Sequence, residues 1–153
     1  MKRKFILSIL ISSLFFITCK SENPGSAGEK STAESVVVQL TNDAFKNLIF
    51  NYDENKEWKY EGTLPAIIDF YADWCAPCRQ LSPLVEEVAK EYEGKIVVFK
   101  VDTEKERALA QSLGITGLPT LLFIPLEGKP QMSMGAIPKE SLVKAITDVL
   151  LIK

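Results

Sequence analysis

The chain has 153 residues, 46% hydrophobic and 25% charged, which suits one ordinary globular core and leaves no material for a second. Its formal charge of −2 hides an asymmetry. Of 18 basic side chains, Lys2, Arg3 and Lys4 fall in the first 18 residues, where there is no acid, so 15 remain against 20 acidic ones. A mildly acidic body argues against nucleic acid as a partner.

Met1 to Thr18 reads as an export signal: a basic start, the apolar run Phe5 to Ile17, then a cysteine. The run is too short for a comfortable transmembrane helix. Phe16-Ile17-Thr18-Cys19 resembles a bacterial lipoprotein cleavage box, in which the cysteine becomes the lipidated first residue. It departs from that pattern at Phe16, where such boxes carry Leu, and at Thr18, where they carry a smaller residue. Ordinary signal cleavage, an uncleaved anchor and a chance thiol at Cys19 are the alternatives. Residues 19–35 are rich in Ser, Gly, Glu and Ala and lack apolar periodicity, as a flexible tether or plain spacer would. The folded domain is expected over 36–153.

Within it, Val36 to Leu40 is a β-branched strand run, and a helical pattern from Asn42 sets Phe45, Leu48 and Ile49 on one face. Tyr52 to Gly62 is charged and carries Trp58 and Tyr60, which either mark a docking surface or fold onto the rim of the domain. Ala66 to Tyr71 is apolar on both faces, as a central strand covered by two helical layers requires. Asp69 is its one acid. Buried there, its carboxyl should have a raised pKa and exchange a proton near neutral pH; turned to solvent, it would be ordinary. A long helix with Leu81, Leu84, Val85, Val88, Ala89 and Tyr92 at helical spacing follows, interrupted by Pro83, which predicts a kink. Ile96 to Val101 is a second buried strand ending near Lys100. A helix is expected from Thr103 to Leu113, capped by Gly114. Pro119 to Pro125 and Gln131 to Ala136 are strands, and Pro138 to Leu150 is a helix with Leu142, Val143, Ile146 and Val149 inward. Helices alternating with strands, then two adjacent strands, describe an α/β fold in three layers with a mixed central sheet of about five strands and helices on both faces.

The chemistry is concentrated in Asp73-Trp74-Cys75-Ala76-Pro77-Cys78-Arg79, between the central strand and the long helix. A helix N-terminus offers unpaired N–H groups and the positive end of the macrodipole, so a thiolate on Cys75, with access to solvent there, is stabilised. Cys78 lies one turn on, placed to resolve a mixed disulfide at Cys75. Pro77 is sterically welcome in a first turn. Half of a zinc site has the same spacing, but with no histidine and only the distant Cys19 besides, no four-ligand metal site assembles in one chain. An inert structural disulfide is the other reading.

Asp69-Phe70-Tyr71-Ala72-Asp73-Trp74-Cys75-Ala76-Pro77-Cys78 resembles the active-site segment of the thioredoxin family. Pro83, Lys100-Val101-Asp102, Gly117-Leu118-Pro119-Thr120 and Gly135-Ala136 resemble further family features, so that the likeness runs from about Val36 to Leu150. Ala76 in place of Gly, Tyr71 in place of Trp and a longer connection at 51–64 depart from it. The resemblance implies that Asp69 lies beneath Cys78 as its proton acceptor, with Lys100 near it. It also implies a cis Leu118–Pro119 bond, although X-Pro bonds are trans by default. The loop Leu118, Pro119, Thr120 would then receive an extended substrate segment beside Cys75, with Trp74, Ala76 and Pro77 shaping the site.

The function implied is a protein-disulfide reductase acting on exported proteins, with no bound cofactor because electrons pass through the Cys75–Cys78 pair. Lack of a histidine between the cysteines favours a reductase over a strong oxidant. Expected partners are disulfide-bearing proteins, an inner-membrane thiol electron donor and, through Cys19, the membrane, for a monomer in the periplasm. The alternatives are a disulfide oxidant or isomerase, and a non-catalytic interaction module on the same scaffold.

Overall fold

The structure, a computed structural model, describes residues 36–150. The expected signal at 1–18, the tether and Cys19 lie outside the described residues. The elements are β1 (Val37–Gln39), α1 (Asn42–Leu48), β2 (Ala66–Tyr71), α2 (Ala76–Glu91), β3 (Val97–Asp102), α3 (Arg107–Ser112), β4 (Thr120–Ile124), β5 (Gln131–Met134) and α4 (Lys139–Val149). They form one five-stranded sheet in the order β1-β3-β2-β4-β5. Strands β1, β3 and β2 are parallel, whereas β4 and β5 run antiparallel to their neighbours. The expected mixed α/β sheet is therefore present.

Its central strands are apolar on both faces for the reason given by their sequence. Along β2, Ile67 packs with Leu81, Val85 and Val88 of α2 and Leu142 and Ile146 of α4. Its alternate residues, Ile68 and Phe70, pack with Phe45, Ile49 and Leu109 on the side of α1 and α3. Each fully buried side chain of this size contributes about 1.5–3 kcal/mol relative to exposure. Pro83 lies inside α2, and the helix continues past it to Glu91.

Two helices differ from their expected form. In α1, Phe45 and Ile49 are buried while Leu48 is 52% exposed. The helix is only two turns long and ends at Leu48, so its buried stripe narrows to Phe45, with Ile49 turning inward as the C-cap. Helix α3 starts at Arg107, not Thr103, because Asp102 captures the intervening backbone. Its Oδ1 accepts from Glu104 N at 3.0 Å, its carbonyl accepts from Glu106 N at 2.8 Å, and its Oδ2 pairs with Lys105 Nζ at 2.8 Å. An aspartate that bonds the backbone two residues on competes with a helix start. The other end is as expected, with Gly114 left-handed (φ 69°) just beyond the C-cap Leu113.

The long 51–64 connection folds onto the rim. The Tyr52 hydroxyl donates to Asn42 Oδ1 at 2.5 Å, Lys46 pairs with Asp53 at 2.5 Å, and the Phe50 and Trp58 rings lie 4.8 Å apart. Tyr60, its hydroxyl donating to the Leu64 carbonyl at 2.7 Å, lies across Gly62 so closely that a Cβ there would meet the ring at 2.2 Å. Both aromatic residues pack against the α1/α3 core, so rim packing, not a free docking surface, describes them.

Candidate active site

Strand β2 leaves the sheet at Tyr71, and the turn from Ala72 to Trp74 delivers Cys75 to the start of α2. Backbone carbonyls brace this turn. Tyr71 O accepts both the N–H and the hydroxyl of Thr103, at 2.9 and 3.0 Å. Ala72 O accepts from Cys75 N at 3.1 Å, and Asp73 O accepts from the Arg79 guanidinium at 3.0 Å. Arg79 closes the stretch singled out from the sequence, whereas Thr103 is a residue that sequence reasoning did not place here. The only local cue for Thr103 is its position just after a strand-ending aspartate.

Cys75 is the N-cap of α2, and Pro77 sits in its first turn. Cys75 and Cys78 are joined by a disulfide, with Cα atoms 5.3 Å apart. The Cys75 sulfur accepts the Cys78 backbone N–H at 3.2 Å, and the first turn of α2 contains no acid. A sulfur that receives a helix-terminal N–H is favoured as an anion. The expected difference in access between the two cysteines is not seen, since each is 2% exposed in the disulfide form. Tyr71 and Leu118 pack against the small cluster of Ala72, Cys75 and Cys78.

The loop before β4 supplies the other wall. Leu118–Pro119 is cis, as the family resemblance implied and the residues alone did not. Pro119 and Thr120 are buried, and the Thr120 hydroxyl donates to Gly117 O at 2.7 Å. Trp74 is 67% exposed, and Ala76 and Pro77 are exposed beside it. The site is thus an exposed indole, a buried sulfur pair and a cis-proline loop.

Asp69 is 3% exposed, so the buried reading holds over the solvent-facing one. It lies opposite Leu121 in the β2/β4 register and shares the face of Ile67, which is the face covered by α2, the helix that carries Cys78. Its Oδ1 is buried without a hydrogen-bond partner among the described residues. Burial pushes its pKa up to about 6, opposed by the charge of Lys100, its neighbour across the β2/β3 pairing. Asp102, by contrast, is held below the usual carboxylate range, first by its hydrogen bond to Lys105. Two buried acids near one strand end are therefore pushed in opposite directions. Tyr71 fills the place of the family's Trp, with its hydroxyl 3.3 Å from Gln39 Oε1 and Lys100 Nζ 5.9 Å from its ring centre.

Residues 36–148 match the thioredoxin family model. The chain belongs to the thioredoxin family. It is 44% identical over 113 residues to a thioredoxin of Borreliella burgdorferi, an alignment covering 74% of this chain and 97% of that protein. It is 37% identical to thioredoxin 1 of a Nostoc species, over 73% of this chain and 95% of the relative. Among solved structures, chloroplastic thioredoxin z superposes with a TM-score of 0.63 at 26% identity, covering 76% of this chain and 96% of that one. Family membership and the Cys75–Cys78 pair make this protein a thiol-disulfide oxidoreductase.

Proposed function

We propose that this member of the thioredoxin family reduces disulfides in exported proteins. The observation that carries the reading is the Cys75 sulfur acting as helix cap for the Cys78 N–H at 3.2 Å. In the reduced protein, the Cys75 thiolate attacks one sulfur of a substrate disulfide, forming a mixed disulfide and expelling the first substrate thiolate. Cys78, giving its proton to Asp69, then attacks the Cys75 sulfur, releases the second substrate thiolate and leaves the Cys75–Cys78 disulfide. Two electrons have moved to the substrate, which leaves as two thiolates; one takes the Cys78 proton from Asp69 and the other is protonated from solvent. No bound cofactor is needed, because the pair itself holds the electrons.

Leu118, Pro119 and Thr120 receive the substrate backbone, and Trp74, Ala76 and Pro77 shape its approach. The basic and apolar start of the chain, ending at Cys19, supports export of 19–153 to the periplasm, with Cys19 lipidated and 19–35 as the tether. Reduction outside the cytoplasm requires re-reduction by a dithiol donor at the inner membrane.

Equilibration with glutathione tests the direction of electron flow. A reductase has a potential near about −270 mV, whereas one near about −120 mV would make the protein an oxidant and overturn the reading. Mass spectrometry of the native N-terminus tests the address: an acylated Cys19 is expected, and a soluble mature chain starting elsewhere rules out the anchor.

A further inference from the structure

Outside the cysteine pair, the described residues hold two sulfur atoms, both thioethers on the edge strand β5. Met132 is 49% exposed and Met134 is 60% exposed. They share one face of the strand, opposite Leu122 and Thr120. What they touch differs. The Met134 Sδ lies 2.9 Å from where a Cβ on Gly117 would be, and its Cγ lies 3.5 Å from that point. Gly117 is not among the glycines with positive φ, so the backbone there does not call for glycine. The thioether does.

Gly117 opens the loop that packs Leu118 against the cysteine cluster. Leu118, next in the chain, packs against the cluster of Ala72, Cys75 and Cys78, and Gly117 O takes the Thr120 hydroxyl. From the other side, Gly135 N donates to Pro119 O at 2.8 Å. Met134 is therefore an exposed residue whose oxidisable sulfur rests on the loop assigned above to the substrate, tied to that loop through its neighbour in sequence.

We propose that Met134 is an oxidation site whose sulfoxide weakens reduction of protein disulfides while sparing the cysteine chemistry. The inference rests on the reading of Leu118, Pro119 and Thr120 as the substrate surface. The oxidant is a hydroperoxide. A sulfur lone pair attacks a peroxide oxygen, the S–O bond forms as the O–O bond breaks, and the departing oxygen takes the proton of the transferred one. Sulfur loses two electrons to become the sulfoxide, and hydrogen peroxide is reduced to water. The product replaces a flexible apolar group with a polar one that carries an extra oxygen. An added oxygen makes the sulfur bulkier and polar where it rests beside Gly117, so the side chain swings off the loop or displaces it. Cys75 and Cys78, buried and joined, present no thiolate in the disulfide form, which leaves Met132 and Met134 as the exposed sulfur-bearing residues among the described residues. Met132, away from Gly117, is oxidised without this consequence.

The test treats the wild type, Met134→Leu and Met132→Leu with hydrogen peroxide in the disulfide form, removes the peroxide, and reduces the pair with dithiothreitol, which leaves sulfoxide in place. Peptide mass spectrometry establishes complete oxidation at Met134 in the wild type. Turnover is then measured with insulin and with a small aromatic disulfide. The wild type and Met132→Leu should lose about fivefold in kcat/KM for insulin, mostly through KM, and keep their small-disulfide rate. Met134→Leu should keep the rates it has before treatment. Full insulin activity in the oxidised wild type, or an equal loss in Met134→Leu, overturns the proposal. Untreated Leu118→Ala separates the two possible failures. An unchanged KM for insulin in that variant overturns the substrate-surface reading and the proposal with it, whereas a raised KM beside a fully active oxidised wild type overturns the oxidation site alone.

Discussion

Helices α1 and α2 each follow a parallel strand, and each has its first turn capped by the side chain just before it. Thr41 Oγ1 accepts from Ala44 N at 3.2 Å, and Cys75 Sγ accepts from Cys78 N at 3.2 Å. The geometry is shared, yet the surroundings are not. The first turn of α1 carries Asp43, which uses the positive helix end, while α2 has no acid there. Beneath α1 lie Phe45 and an apolar cluster, whereas the face of β2 toward α2 carries the buried Asp69. One slot is spent on helix stability. In the other, a sulfur replaces the oxygen, the field is left for its anion, and an unbonded carboxyl oxygen lies in the layer below.

The sharpest break of this comparison is to make the second cap like the first. Cys75→Ser keeps an N-cap side chain, so the melting temperature should stay close to that of the reduced wild type while disulfide reduction disappears. Cys78→Ser should instead accumulate a mixed disulfide between Cys75 and substrate, visible by non-reducing electrophoresis. Equal residual turnover in the two variants would mean that the two sulfurs do not have separate roles.

Asp69→Asn removes the carboxyl that only the α2 side possesses. Resolution of the mixed disulfide should slow by about tenfold or more at pH 7. The stability effect has the opposite sign. A carboxyl whose folded pKa is raised from 3.8 to about 6 keeps its proton in the native state over a range where the unfolded chain has lost it, so wild-type stability falls as pH rises through that window. By pH 7 the loss amounts to about 3 kcal/mol, and the variant should lack this slope. Urea unfolding at a series of pH values reads it; parallel slopes in the two proteins would show that Asp69 does not carry the shift.

Smaller effects come from the helix ends themselves. Thr41→Ala should cost about 1 kcal/mol of stability with kcat/KM unchanged. Ala76→Glu, which gives α2 the first-turn acid that α1 already has, should raise the Cys75 thiol pKa by about half a unit. The pH dependence of alkylation of the reduced protein measures that shift, and a profile identical to wild type would remove the helix end from the account of Cys75.

Much of this molecule is determined by residues read in order. The continuous apolar runs of β2 and β4 need no partner to be recognised as central strands, because a strand covered on both faces has no polar side to show. The cysteine pair at a helix start, with Pro77 inside it, follows from local capping chemistry in the same way. Tertiary structure decided the rest. The Asp102 side chain moved the start of α3 by bonding the backbone ahead of it, a competition that periodicity does not register. The short span of α1 turned Leu48 outward. The cis bond before Pro119 goes against the residue-level default and was legible only through family likeness. The packing of Tyr71 and Leu118, from two different strand ends, against the cluster of Ala72, Cys75 and Cys78 comes from the fold, and the contact of Met134 with Gly117 comes from the pairing of β5 with β4. In the chain, Met134 stands 17 residues beyond Gly117. Local rules act over one helical turn or one strand alternation, whereas these outcomes depend on which distant backbones the sheet brings side by side.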